Sequence, residues 1–336
     1  MPSRSRSSTS ARTRPPAATA LRLADRAARG ALTRELCRRS LWGTLPARPA
    51  RRPDDVRRLA FTVDLDYQAD TDALPALVEL LRRHDARMTV FAVGALVDAC
   101  PGPYEQALAA GHEIANHSMT HPDNPVLDPD REFWHLSAEE MAAQVGDTQD
   151  LLERRLGLRP RGFRTPHFKD AHRLTGVLRR FPEIRYVSSA LATRTPSGGE
   201  PYLAPTRTTA GEAFSHLLPT GDGDPDGLLQ IPLTACPAHR WSPFCSWHGI
   251  RAGAVPGSGA GMHPLPEWQA LWRSMLERAE PDGLAVVYLD PHDLVRDEET
   301  TAAVSAMLAH AVAAGWELTT LDDVERAYRP LQRAAA

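Results

Sequence analysis

A chain of 336 residues is long enough to bury a substantial core, as one large α/β domain or two ordinary ones. With 39 Lys and Arg against 42 Asp and Glu, its net charge of -3 gives no general pull toward nucleic acid or an anionic membrane, so a small-molecule partner is expected. Four cysteines, Cys37, Cys100, Cys236 and Cys245, are too few for a disulfide framework at this length, and no apolar run approaches the ~20 residues needed to span a bilayer.

The first segment, 1–57, is rich in Ser, Ala, Pro and Arg and poor in apolar periodicity, which predicts a disordered or loosely docked tail. Leu21 to Leu41 can form a short amphipathic helix docked on the main domain. Its arginines also permit a nucleic-acid-binding arm. Against that reading, Lys169 is the single lysine of the chain, so the arginines follow a chain-wide bias. No charged start followed by a 7–15-residue apolar stretch is present in the sequence, so the expected location is the cytoplasm.

From 58 onward, short β-like runs alternate with helical patterns, the signature of βα units around a parallel sheet or barrel. LAFTVDLD (59–66) predicts a first buried strand, and 71–85 the helix after it, with Thr71 or Asp72 near its N-cap. MTVFAV (88–93) is a second strand, 101–111 a Pro-started helix closed by Gly111, and HEIANH (112–117) a third strand. Ser137 with Glu140 forms a capping box that opens a long helix to about Leu156. GFRTPHF (162–168), RYVSSAL (185–191), LLQIPLT (228–234), LAVVYLD (284–290) and WELTTL (316–321) supply further strands, with helices near 267–280 and 299–314. The Gly- and Pro-rich stretch from Ala192 to Pro264 reads as a lid or substrate loop.

Two residues apart on a strand, Asp64 and Asp66 face the same side, and two carboxylates inside an apolar strand are costly unless paired or metal-bound. On the residues alone, capping of a solvated strand end is the competing reading. In GHEIANHSMTH (111–121), a helical turn beginning at His117 would bring His117 and His121 within reach of one ion, although such pairs also arise by chance. In combination, an Asp at one strand end and two imidazoles at a later one are the components of a hydrolytic zinc site. His112 and His135 have no such partner and read as structural.

The ordered series FTVDLDY, GHEIANHSMTH, GFRTPHF and YLDPHDL resembles the polysaccharide deacetylase family, the NodB homology domain of carbohydrate esterase family 4, over about 58–330. Its first motif, Asp-x-Asp, is similar to the branch holding cytoplasmic peptidoglycan-deacetylase-like enzymes and lipid-linked aminosugar deformylases. The resemblance implies a distorted (β/α)7-type barrel over 58–336. It also implies one divalent metal, usually Zn2+, on Asp66, His117 and His121, with Asp64 as general base. Arg164 would then pair with Asp64, orient it and keep it ionised, while Pro166, His167 and Phe168 line the pocket.

Two motifs depart from the family pattern. Val187 stands where an aspartate is expected, and Asp290 stands where the first histidine of the last motif would be. The resemblance then leaves His292 as the acid that protonates the leaving amine, with Asp290 or Asp293 taking over the missing aspartate's role and Asp290 near the substrate. In CPAHRWSPFCSWH (236–248), Cys236, His239, Cys245 and His248 have metal-ligand types at close spacing. A substrate loop is the competing reading there, with Trp241, Phe244 and Trp247 packing over the pocket or stacking on a sugar.

The expected activity is metal-dependent removal of an N-acetyl or N-formyl group from an amino sugar or a sugar-containing intermediate. Hydrolysis of a non-sugar amide or cyclic imide, and a metal- or carbohydrate-binding relic that has lost its acid, are the rivals. Nothing in the sequence fixes an oligomeric state.

Overall fold

In the computed structural model, the described residues are 54–168, 174–189, 191–192, 228–238, 243–250 and 263–335. Nearly all of the tail at 1–57, most of the 192–264 stretch, Lys169, Trp241 and His239 lie outside them, as do the side chains of Trp247 and His248.

Strand β1 (Arg57–Leu65) carries the architecture because both of its faces are buried. Leu59, Phe61, Val63 and Leu65 point outward into the layer under the helices. Ala60 belongs to an inner cluster with Phe91, Ala115, Tyr186, Leu229, Val286 and Tyr288. This two-sided burial explains why the strand reads as an almost continuous apolar run. The inward set continues through Thr62 to Asp64, so the period of two delivers the first carboxylate to the barrel interior.

The other main strands are all parallel to β1: β2 (Thr89–Ala92), β3 (Glu113–Asn116), β4 (Gly162–Phe163), β5 (Tyr186–Val187), β7 (Leu229–Gln230), β9 (Leu284–Leu289) and β10 (Trp316–Thr319). β9 pairs with one edge of β1, while β10 and then β2 share the other edge, and the sheet continues through β3, β4 and β5 to β7. β6 (Leu191–Ala192) and β8 (Leu233–Thr234) form a separate parallel pair. The gap between β8 and β9 is bridged irregularly. The Thr234 carbonyl accepts from Phe244 N–H, the Phe244 carbonyl accepts from Tyr288 N–H, and Thr234 Oγ1 accepts from Val286 N–H at 2.8 Å. The architecture is therefore the expected distorted, parallel-stranded α/β barrel.

Helices form its outer layer. They are α1 (Gln68–Arg82), α2 (Gly94–Ala99), α3 (Gly102–Ala109), α4 (Ala138–Leu156), α5 (Leu174–Leu178), α6 (Ser246–Gly249), α7 (Leu265–Ala279), α8 (Pro291–Leu294), α9 (Glu298–Ala313) and α10 (Leu321–Ala335). The capping box of α4 forms as its sequence predicts, with Glu140 N–H on Ser137 Oγ at 3.2 Å and Ser137 N–H on Glu140 Oε2 at 2.7 Å. Gly157, at φ +71°, closes the same helix in the left-handed conformation that glycine adopts without a Cβ clash.

The first helix starts earlier than its sequence suggests. Its N-cap is Tyr67, not Thr71 or Asp72, because Asp70 in the first turn folds back to accept from Asp66 N–H at 3.2 Å and Tyr67 N–H at 3.1 Å. The last helix, α10, is not foreseen from the sequence. Its Leu321, Val324 and Tyr328 join the inner cluster and fill the end of the barrel at which the strands begin. The chemistry-bearing side chains gather at the opposite end, where the strands finish, as parallel α/β architectures favour.

Candidate active site

Three ligand-type side chains converge where β1 and β3 end. Asp66 follows β1, while His117 and His121 follow β3, and all three are buried. Asp66 Oδ1 lies 3.3 Å from His117 Nε2 and 3.3 Å from His121 Nε2. These distances match the ~3.3–3.5 Å edge of a tetrahedron whose ligands sit ~2.0–2.2 Å from a central ion. Asp66 Oδ1 and His117 Nε2 have no hydrogen-bond partner despite full burial. Orphaned polar atoms of this kind are costly, and an ion between them would satisfy both.

The loop that presents the imidazoles is not the helical turn that the four-residue spacing suggests. Ser118 and His121 have φ of +68° and +50°, and side chains staple the turn in their place. Ser118 N–H donates to Asn116 Oδ1 at 2.9 Å, and His121 N–H to Ser118 Oγ at 3.1 Å. Gln144 Oε1 accepts from both Met119 N–H (2.9 Å) and Thr120 N–H (3.0 Å). Such backbone costs about 1–3 kcal/mol per residue and persists where its surroundings over-determine it, as at ligand clamps.

Neighbouring backbone and side chains hold the donors in place. His117 Nδ1 donates to the Arg164 carbonyl at 2.9 Å, since a carbonyl can only accept. The tautomer is thereby set and the Nε2 lone pair is turned to the cluster. Asn124 Nδ2 holds the Asp66 carbonyl at 2.7 Å.

Asp64 sits beside the triad, its Oδ2 3.6 Å from His117 Nε2 and its Oδ1 2.5 Å from Arg164 Nη1. Arg164 is fully buried and fully engaged. It also donates to Thr62 Oγ1 (2.9 Å), the Ser188 carbonyl (2.8 Å) and Ser188 Oγ (3.1 Å), and its guanidinium lies 3.9 Å from the Phe91 ring centroid. The expected pairing is present, but its electrostatic result differs. Burial pushes the Asp64 carboxyl up, and Arg164 and His117 only partly offset it. Asp66 responds in the opposite sense. Burial raises it, but His121 and His117 outweigh burial and hold it well below the usual carboxylate range. Burial lowers His121 to about 3, whereas for His117 the neighbouring Asp64 and Asp66 overcome burial and raise it.

His292 lies in α8 after β9, with its Nδ1 2.5 Å from Asp70 Oδ1 and its Nε2 3.5 Å from Asp293 Oδ1. Its Nε2 is buried with no hydrogen-bond partner. Burial lowers this imidazole, but Asp70 more than compensates, so the net shift is upward.

The aspartate beside Nδ1 is therefore neither Asp290 nor Asp293. Asp290 turns to Ser246 Oγ (2.8 Å) and Tyr288 Oη (3.2 Å), and its backbone N–H also binds Ser246 Oγ. Burial and the nearby Asp70 and Asp293 push its carboxyl well up. Nor does position 187 face the site. Val187 points outward into a cluster with Phe133, Val145, Phe163 and Leu174, and its successor Ser188 is the residue that reaches Arg164.

Around the rim, Pro166 is buried, and His167 rests edge-on against His121 with ring centroids 4.8 Å apart and its Nε2 3.6 Å from Asp123 Oδ2. Phe168 packs on Tyr288 at 4.8 Å. Phe244 turns into the core, stacked on Trp268 at 5.4 Å, and does not cover the pocket. Cys236 and Cys245 are buried, and the four-ligand reading of that segment lies partly outside the described residues. His112 is structural as expected, accepting from Met88 N–H on Nδ1 at 3.3 Å. The sequence reading missed Asp70, although its position four residues beyond Asp66, one helical turn on, was a usable signal.

Residues 51–181 match the model of the polysaccharide deacetylase family. The peptidoglycan-N-acetylmuramic acid deacetylase PdaC of Bacillus subtilis is 31% identical over 91 residues, which are 27% of this chain and 18% of that protein. A chitooligosaccharide deacetylase of Azorhizobium caulinodans is 35% identical over 95 residues, 28% of this chain and 39% of its own length. The chain thus spans under two fifths of the length of these curated relatives.

Among solved structures, a Mycobacterium smegmatis protein assigned to the polysaccharide deacetylases superposes with a TM-score of 0.66 at 20% identity, over 86% of this chain and 96% of that one. PuuE allantoinase superposes with a TM-score of 0.61 at 14% identity, over 87% and 97%. Both share the fold.

Proposed function

We propose that this chain, whose residues 51–181 match the model of the polysaccharide deacetylase family, is a metal-dependent hydrolase that removes an N-acyl group, acetyl or formyl, from an amino sugar or a sugar-containing intermediate. The observation that carries the reading is the buried Asp66, His117 and His121 cluster with Asp64, held by Arg164, directly beside it. Two imidazole nitrogens and one carboxylate oxygen suit zinc, and three protein ligands leave a position open for substrate chemistry. When bound, the ion supplies a Lewis acid that polarises the acyl carbonyl and makes water more acidic.

The remaining steps belong to the chain. Asp64 takes one proton from the attacking water through Oδ2, while its other oxygen stays on Arg164. Its upward shift makes it a better base, and Arg164 and His117 are the neighbours that favour its ionised form. The water oxygen forms a bond to the acyl carbon. His292, raised toward its charged form, gives its Nε2 proton to the nitrogen as the C–N bond breaks, leaving a carboxylic acid and a free amine.

The related proteins act, by their names, on peptidoglycan and on chitooligosaccharides, which supports an N-acylated amino sugar as the substrate class. A cytoplasmic site of action stands with this proposal, and cell fractionation tests it. The activity itself is tested by incubating zinc-loaded chain with a panel of N-acetyl and N-formyl amino sugars and oligosaccharides and reading acyl loss by mass spectrometry. Loss from at least one compound, abolished in Asp64→Asn, is the expected result. No turnover on that panel with hydrolysis of ureides or cyclic imides would overturn the sugar reading.

A further inference from the structure

We propose that Asp70 is the positioning residue for His292, so that the helix following the Asp-x-Asp strand, and not a later strand, supplies the carboxylate that aims the proton donor. The inference rests on His292 being the acid of the reaction proposed above.

Four observations carry it. Asp70 is fully buried in the first turn of α1, and its Oδ1 lies 2.5 Å from His292 Nδ1. Because a carboxylate accepts, Nδ1 is the donor in that contact, and Nε2 is left to face the reaction. That Nε2 is buried and has no hydrogen-bond partner, as a nitrogen kept for a substrate would be. Finally, the alternative carboxylates do not reach Nδ1: Asp290 is committed to Ser246 and Tyr288, Asp293 lies 3.5 Å from Nε2 instead, and position 187 joins the outer apolar cluster.

The other oxygen of Asp70 accepts from Asp66 N–H and Tyr67 N–H. One carboxylate therefore ties the end of the ligand-bearing strand to the proton donor on α8, which packs against α1. Within seven residues the chain places a base at Asp64, a metal-ligand carboxylate at Asp66 and an orienting carboxylate at Asp70. The spacing Asp-x-Asp-x3-Asp is the sequence signature of this arrangement.

Asp70→Asn is the informative substitution, because the amide oxygen can still accept from Asp66 and Tyr67 N–H while the NH2 group cannot accept from His292 Nδ1. On zinc-loaded full chain with an N-acyl sugar that the wild type turns over, kcat is expected to fall about 10²–10³-fold. KM and zinc content should stay within about twofold, and adding Asp70→Asn to His292→Ala should cost nothing further. Asp70→Glu, which keeps a carboxylate, should recover part of kcat.

A second readout does not need turnover. In nitrogen-15 histidine NMR, a strongly deshielded His292 Nδ1 proton is expected in the wild type, and it should vanish in both Asp70→Asn and His292→Ala. Retention of kcat within about threefold, zinc loss in proportion to kcat, or a further drop on adding Asp70→Asn to His292→Ala would each overturn the assignment. A wild type inactive on every N-acyl sugar that still shows the Asp70-dependent proton would remove the proposed reaction but leave the pairing. Absence of that proton would remove the pairing itself.

Discussion

Replacing Arg164 by methionine tests how the site tolerates a buried base. The guanidinium is fully buried, holds Asp64 Oδ1 at 2.5 Å, and lies over the Phe91 ring. Methionine fills much of the same volume, so packing against Phe91 changes little, but Asp64 is left buried without its cation. Removing one partner of a buried ion pair costs about 3–5 kcal/mol. The Ser188 carbonyl also loses a donor, at about 1–3 kcal/mol for a buried group left unsatisfied, while Thr62 Oγ1 keeps its bond to the Val287 carbonyl. Against a typical domain stability of about 5–15 kcal/mol, the variant should be severely destabilised.

Urea unfolding of metal-free protein reads the loss as a change in midpoint at constant slope. The companion variant is Arg164→Met with Asp64→Asn, which removes the uncompensated charge. It should recover about 2 kcal/mol or more relative to Arg164→Met alone, since contacting partners couple by about 0.5–3 kcal/mol. A single variant that loses under about 1 kcal/mol, or additive behaviour in the double variant, would refute the view that Arg164 neutralises Asp64.

Three further outcomes follow from other parts of the molecule. Burial first, and then the neighbouring Asp322, raise the Glu113 carboxyl to about 7 from 4.5. The folded state therefore binds this proton more tightly, and its contribution of about 3 kcal/mol is fully present below pH ~4.5 and is lost as pH rises through ~7. Glu113→Gln should flatten the stability profile between those values, and an unchanged slope would contradict it. A Cβ on Gly162 would meet Tyr186 Cζ and Oη at 2.1 Å, so Gly162→Ala should lower Tm by several degrees in a thermal melt, while an unchanged Tm would show that the ring moves freely. Val187→Asp places an unpaired carboxylate among Phe133, Val145 and Leu174, so it should destabilise by about 3 kcal/mol or more in urea and leave the dependence of His292 on Asp70 untouched.

Much of the fold was legible because β1 and β9 are buried on both faces and so announce themselves as apolar runs, and because α4 carries both its capping box and its closing glycine. The last helix was not legible: Leu321, Val324 and Tyr328 plug the barrel end through tertiary contacts that no local pattern encodes. Within the site, Asp64, Asp66, His117 and His121 were identifiable by type and spacing and Arg164 through the family resemblance, and the structure brings all five together. The conformation of the His117 to His121 turn was not, since side chains of Asn116, Ser118 and Gln144 impose positive φ on residues that locally favour a helix.

The partner of His292 was sought among residues close to it in sequence, Asp290 and Asp293. It comes from Asp70, 222 residues away in the chain. An acidic residue in a first helical turn looks like an ordinary dipole or capping contribution, which Asp70 also makes, and the second use of its carboxylate appears only when α8 packs on α1.

Equilibrium dialysis of the full chain against zinc, with metal read by inductively coupled plasma mass spectrometry, bears most directly on the whole account. One zinc per chain is predicted for the wild type, with loss of that equivalent in Asp66→Ala and in His121→Ala while both variants keep the wild-type circular dichroism spectrum. Folded Asp66→Ala and His121→Ala proteins that still bind one equivalent as tightly as the wild type would contradict it.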